Sequence, residues 1–295
     1  MSILKKGDKI GIIAPSVGLN NKDLNPSLNF FKKIGLTPII ANNLNKNYRY
    51  MAGSDKERAD NINKFFKDKN IKALFWLRGG AGATRMLNLL DYDTIKENKK
   101  PIFGLSDSTA LQNALITKTN NPSYTGFLPL YDIDENGINK TLENSIKNTL
   151  FQNHQKIISG NCHKKGECKG KIVGGCLSVL TYLCGTQYFP NLSGKILLLE
   201  DVGEKTYKID LMLNQLKQQK NFNKLKGIIL GQFHNCIVSD KEDGTIEDCI
   251  KDFAKDINIP IITDFAYGHI KERYLIPLNK TITLKAGTKE CSISW

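Results

Sequence analysis

The 295-residue chain predicts an α/β protein in two parts, a doubly wound first half and a second, smaller α/β half. Three observations predict it. Apolar runs of about 5 to 8 residues alternate with longer amphipathic segments through the first half, the pattern of βαβ units on a parallel sheet. A polar, basic, glycine-punctuated stretch, QNHQKIISGNCHKKGECKGK, then interrupts the alternation, as a connector does. Beyond it, apolar runs and amphipathic segments resume. The expected organisation is a first domain over 1–155, a linker over 156–169 and a second domain over 170–295.

In order, the first-half strands are KIGIIAPS from Lys9, TPIIAN from Thr37, KALFWL from Lys72 and PIFGLS from Pro101. Their near-continuous apolar character is that of strands covered on both faces. Between them, DKERADNINKFFKDKN spaces Ala59, Ile62, Phe65 and Phe66 as one face of a helix, and Ser54 with Glu57 three residues later reads as a capping box. In the second half KILLLED from Lys195, GIILGQF from Gly227, IPIITDF from Ile259 and the terminal KTITLKAG read as strands. Helices are expected near Lys205 to Gln218 and Thr245 to Lys255.

Composition narrows the function classes. With 40% hydrophobic and 24% charged residues, and no run near the roughly 20 apolar residues that span a bilayer, a soluble protein with no membrane partner is expected. MSILKKGDKIGIIAPS reads as a first strand rather than a secretory leader, because Pro15 and Gly18 follow a short apolar run at once. Seven cysteines, an odd number scattered from Cys162 to Cys291, argue against a disulfide framework and for reduced, cytoplasmic thiols. Cys162, His163 and Cys168 lack zinc-ligand spacing, so no metal is expected. Cys236 near His234 reads as a buried, inert thiol. The net charge of +13 is spread along the chain rather than gathered in an arm, which speaks against nucleic acid. A positive field would still speed the encounter with an anionic substrate.

Ligands of open α/β sheets bind beyond the carboxyl ends of the strands, and two such junctions stand out. In PIFGLSDSTALQNAL a strand ends near Ser106 and a helix follows at once. This is the layout of a nucleophile elbow, with Gly104 before the serine and Ser108 where the hydrolase pattern has its second glycine. Taken alone, Ser106 or Asp107 reads simply as a helix N-cap. In KALFWLRGGAGATRML the glycines after Arg78 let backbone amides approach a phosphate or an oxyanion, or simply serve a turn. A serine needs a base, and the pool is His154, His163, His234 and His269. His269 stands just beyond a strand end, beside Gly268. An orienting acid would come from LLLEDVGE, where Glu200, Asp201 and Glu204 are available or cap a helix.

GDKIGIIAPS, RGGAGATRML, GLSDSTAL, GKIVGGCLSVLTYLCGT, LLLEDVGEKTYKIDLML and FAYGHIKERYLIPL, in that order, resemble the L,D-carboxypeptidase (muramoyltetrapeptide carboxypeptidase) family of serine peptidases across nearly the whole chain. The resemblance implies a flavodoxin-like first domain, a smaller second domain and an active site where they meet. It implies a triad of Ser106, Glu200 and His269, an oxyanion hole of the Gly80 and Asp107 backbone N–H groups, no cofactor, and a homodimer. The implied reaction is release of the terminal D-alanine from murein tetrapeptides in cytoplasmic wall recycling. Two residues depart from the family pattern: Ala81 replaces the tyrosine of RGGYG, and Cys176 stands where asparagine is frequent. The rival readings are a microcin-C-type antibiotic-inactivating peptidase of the same family and a non-enzymatic nucleotide- or sugar-binding module. The ED-VGE segment favours the murein branch.

Overall fold

A computed structural model describes residues 2–238, 240 and 244–295. The first sheet is built on β1 (Lys9–Ile13), β2 (Thr37–Ile40), β3 (Ile71–Trp76), β4 (Ile102–Gly104) and β5 (Ser123–Thr125). These are parallel in the order β2-β1-β3-β4-β5, the flavodoxin-like doubly wound order. Central β1 and β3 are buried along almost their whole length. Across β3, β4 and β5 an aromatic ladder stacks Phe75 on Phe103 at 4.4 Å and Phe103 on Tyr124 at 4.9 Å between ring centroids. Such cross-strand pairs pin register.

The capping box at Ser54 is formed: Ser54 Oγ accepts from Glu57 N–H, and Glu57 Oε2 accepts from Ser54 N–H at 2.8 Å. The helix it starts, Asp55–Lys67, turns Ala59, Ile62, Phe65 and Phe66 into the core.

The second sheet contains β6 (Lys156–Ile158), β7 (Asn161–Lys164), β8 (Gly166–Cys176), β9 (Lys195–Val202), β10 (Gly227–His234) and β11 (Ile261–Thr263). After β12 (Ile276–Leu278), the strands β13 (Thr281–Ala286) and β14 (Cys291–Ser294) complete it. Its order is β6-β14-β13-β8-β9-β10-β11-β7, with β8 to β11 parallel.

Two features correct the expected organisation. Residues 156–169, read as a linker, carry β6, β7 and the start of β8. The polar alternation there belongs to strands with one wet face, seen in the alternating exposure of β6 and β7. β12, expected with the second domain, instead pairs antiparallel with β5 and forms the sixth strand of the first sheet. Residues 264–275 therefore cross from one sheet to the other.

The two sheets meet at the helix Ser108–Thr119, in which every residue but Thr117 and Lys118 is buried. A helix buried on all sides is a core element. Asn113 clasps β8 through both amide atoms, donating to Gly174 O at 2.9 Å and accepting from Gly174 N–H at 3.1 Å. Thr109 Oγ1 accepts from Cys176 N–H at 3.0 Å. This approach requires glycine at 175, since a Cβ there would lie 2.4 Å from Thr109 Oγ1.

Candidate active site

Ser106 lies two residues beyond β4, just before Asp107, the N-cap residue of the buried helix, with φ 66°. A left-handed backbone in a non-glycine residue costs about 1–3 kcal/mol and persists only where surroundings impose it. Two glycines make room for the turn. A Cβ on Gly104 would fall 2.4 Å from Ser108 Oγ, and one on Gly79 would lie 3.2 Å from both Cβ and Oγ of Ser106. The glycine loop after β3 thus passes directly over the serine. Gly80 and Ala81 are its exposed tip.

Asp107 is almost fully buried, yet its side chain makes no cap bond to its own helix. Oδ2 accepts instead from Ser16 Oγ at 2.5 Å and from Ala83 N–H at 2.9 Å. Burial pushes this carboxyl above the usual range, while the bonds from Ser16 and Ala83 and the nearby Arg58 charge pull it down. Arg58, also buried, donates to Pro15 O, to Gly82 O at 2.9 Å and to Asp55. One buried polar node therefore joins the loop after β1, the glycine loop and the serine turn.

Glu200 sits near the end of β9, fully buried, and His269 sits on the crossing segment with its side chain 11% exposed. Their bond, His269 Nδ1 to Glu200 Oε2, is 2.7 Å. Glycine at 268, with φ +123°, permits this contact, because a Cβ there would lie 2.9 Å from Glu200 Oε2. Glu200 Oε1 is buried without a hydrogen-bond partner among the described residues.

Of the carboxylates left open by the sequence, only Glu200 meets a histidine. Asp201 holds the turn into the helix Leu177–Thr181, accepting from Ser178 N–H at 2.7 Å and Val202 N–H at 2.8 Å. Glu204 pairs with Lys208. His154, His163 and His234 are exposed, and none of them bonds a carboxylate among the described residues. Cys176 is buried next to Asp201; burial, with the Glu200 and Asp201 charges, pushes its thiol well above the ordinary range. No hydrogen bond joins Ser106 to His269 in this structure. Such bonds commonly tighten only when substrate is bound.

The crossing segment is anchored by residues the motifs did not single out. Arg273, fully buried, donates from Nη2 to both carboxylate oxygens of Asp132, at 2.5 and 2.6 Å, and from Nε to Gly126 O at 2.9 Å. Tyr267 OH and Thr125 Oγ1 share a hydrogen bond of 2.8 Å. The available signal was an arginine within FAYGHIKERYLIPL, a motif that also contains His269. Among the described residues no group of His, Cys, Asp and Glu is arranged to hold a metal ion, and no helix is long and apolar enough to cross a membrane.

Fold and site together define a two-sheet α/β protein with a strained serine beyond one strand end and a carboxylate–imidazole pair joining the end of β9 to the crossing segment, groups of the hydrolase type. Models of the LD-carboxypeptidase N-terminal and C-terminal domains match residues 10–126 and 169–284. The chain is 30% identical to a probable murein peptide carboxypeptidase of Bacillus subtilis, over 97% of this chain and 94% of the relative. A muramoyltetrapeptide carboxypeptidase from Oxalobacter formigenes superposes with TM-score 0.90 at 25% identity, covering 97% of this chain and 98% of that one. An MccF-like protein from Bacillus anthracis superposes with TM-score 0.87 at 29% identity, covering 99% and 97%. The chain belongs to the LD-carboxypeptidase family. It is a hydrolase, a peptidase of the carboxypeptidase kind.

Proposed function

We propose that this chain is a serine L,D-carboxypeptidase that releases the terminal D-alanine from murein tetrapeptides, acting in cytoplasmic wall recycling as a homodimer. The observation that carries the serine assignment is the positive φ of Ser106 under the glycine loop. A helix cap needs neither the strain nor the glycines around it. Ser106 Oγ attacks the scissile carbonyl. His269 Nδ1 is engaged by Glu200, so Nε2 is the nitrogen that takes the serine proton and returns it to the leaving D-alanine amine. Glu200 holds the tautomer and offsets the imidazolium charge. The oxyanion is received by the N–H groups of Gly80 and Asp107, and water then releases the acyl group by the reverse proton path.

The murein substrate rests on the likeness to the Bacillus subtilis and Oxalobacter proteins. Likeness to the MccF-like protein supports a second reading, the same chemistry on a peptide-nucleotide. The deciding experiment offers both substrates and measures D-alanine release from the tetrapeptide. Wild type is expected to release D-alanine; Ser106→Ala and His269→Ala should lose at least about 1,000-fold in kcat, and Glu200→Gln somewhat less. Cleavage of the peptide-nucleotide alone would overturn the murein reading, and loss of activity to a chelator would overturn the serine mechanism.

A further inference from the structure

We propose that the Asp107 carboxylate is a positioning group that sets the distance between the two oxyanion donors, Gly80 N–H and its own N–H. The inference rests on the acyl-transfer reading above and assigns a side chain that reading does not use. An aspartate at the start of a helix ordinarily turns back to cap it. Asp107 does not: its carboxylate leaves the helix uncapped and reaches the ends of two other strands' loops.

One contact is Ala83 N–H at 2.9 Å, three residues past Gly80 and at the point where the glycine loop becomes the 3-10 helix Ala83–Leu89. The other is Ser16 Oγ at 2.5 Å. Ser16 and Val17 form the wall behind Gly80, since a Cβ on Gly80 would lie 2.3 Å from Val17 Cγ2 and 3.5 Å from Ser16 Cβ. Asp107 thus ties down the glycine loop at its exit and the wall it leans on. Arg58 reinforces both ties from the far side, through Pro15 O and Gly82 O. One residue supplies one donor from its backbone and fixes the other with its side chain, so the two amides cannot drift apart independently. Oxyanion stabilisation depends on such fixed spacing, because donors act fully only when they are already aimed at the developing charge.

The test compares Asp107→Ala, Asp107→Asn and Ser16→Ala in two readouts. The first is kcat and KM for D-alanine release from murein tetrapeptide. The second is the rate at which a fluorophosphonate modifies Ser106, a reaction whose phosphoryl oxygen occupies the same hole and which needs no peptide. For Asp107→Ala we expect both kcat and the modification rate to fall about 100-fold, the scale of losing one donor, with KM changed less than about threefold. Ser16→Ala, which loses one of the two ties, should fall about tenfold, and Asp107→Asn, which keeps an acceptor, should recover at least about tenfold over alanine.

Should Asp107→Ala not fold, the ordering of wild type, Asp107→Asn and Ser16→Ala decides the matter. Equal modification rates in all folded variants, or a rise in KM at constant kcat, would overturn the inference. Wild type that shows no D-alanine release while its modification still depends on Asp107 would overturn the murein reading and leave this one standing.

Discussion

The two sides of the site are held in different ways. The serine side is fixed within the first half: Ser106, the glycine loop and the loop after β1 are joined by Asp107, Ser16 and Arg58, all from residues 1–126. The histidine side is fixed between the halves. His269 rides on a segment that leaves the second sheet at Thr263 and enters the first at Ile276. Arg273 anchors that segment to Asp132, and Tyr267 anchors it to Thr125. Glu200 meets His269 from the second sheet. In the proposed mechanism the serine and its oxyanion donors are thus preorganised by local structure, whereas the proposed base, His269, is placed only when the two sheets dock correctly.

The most forceful way to break this contrast is at Arg273. Replacing it by leucine leaves Asp132 buried and unpaired, and should cost about 3–5 kcal/mol of stability in urea unfolding. Replacing both partners by leucine should recover much of that stability but not the activity, because the histidine segment stays unanchored. Full recovery of kcat in the double variant would show that the anchor is structural only.

A smaller effect is expected at Gly268. Alanine there is strained at φ +123° and its Cβ presses on Glu200 Oε2, costing about 1–3 kcal/mol. The loss should appear in kcat for peptide and, because phosphonylation of Ser106 also needs the His269 base, in the fluorophosphonate rate as well; unchanged rates in both would show that the histidine side does not depend on this contact.

The smallest effect concerns Cys176. Its thiol, held neutral chiefly by burial, should resist iodoacetamide at pH 8 in the native protein, with activity unchanged; rapid alkylation at this position, read by peptide mass, would contradict the packing described.

Much of the fold was legible because local patterns and tertiary demands agree. The apolar runs at Lys9, Thr37, Lys195 and Gly227 each lie on a strand, and the Ser54 capping box forms as spaced. The runs that misled were those whose surroundings differ from their composition. β6 and β7 are half exposed and so read as connector. β12 is only three residues long and joins a sheet more than 100 residues back in the chain, which no window of local periodicity can see.

At the site, the strand-end positions of Ser106 and Glu200 were readable from sequence; His269, expected just beyond a strand end, lies instead within the segment between β11 and β12, where it meets Glu200. The Asp107 side chain and the Asp132–Arg273 pair were not readable. Aspartate at a helix start has an ordinary local explanation, and a salt bridge between residues 141 apart leaves no trace in spacing.

The account stands or falls on Ser106. The most direct measurement is an acid quench of the wild type during turnover of murein tetrapeptide, followed by mass analysis of the peptide containing residue 106, with Ser106→Ala alongside. The account predicts that a murein tripeptide acyl group is carried on Ser106 and that the alanine variant releases no D-alanine above background. D-alanine release by Ser106→Ala at the wild-type rate would contradict it.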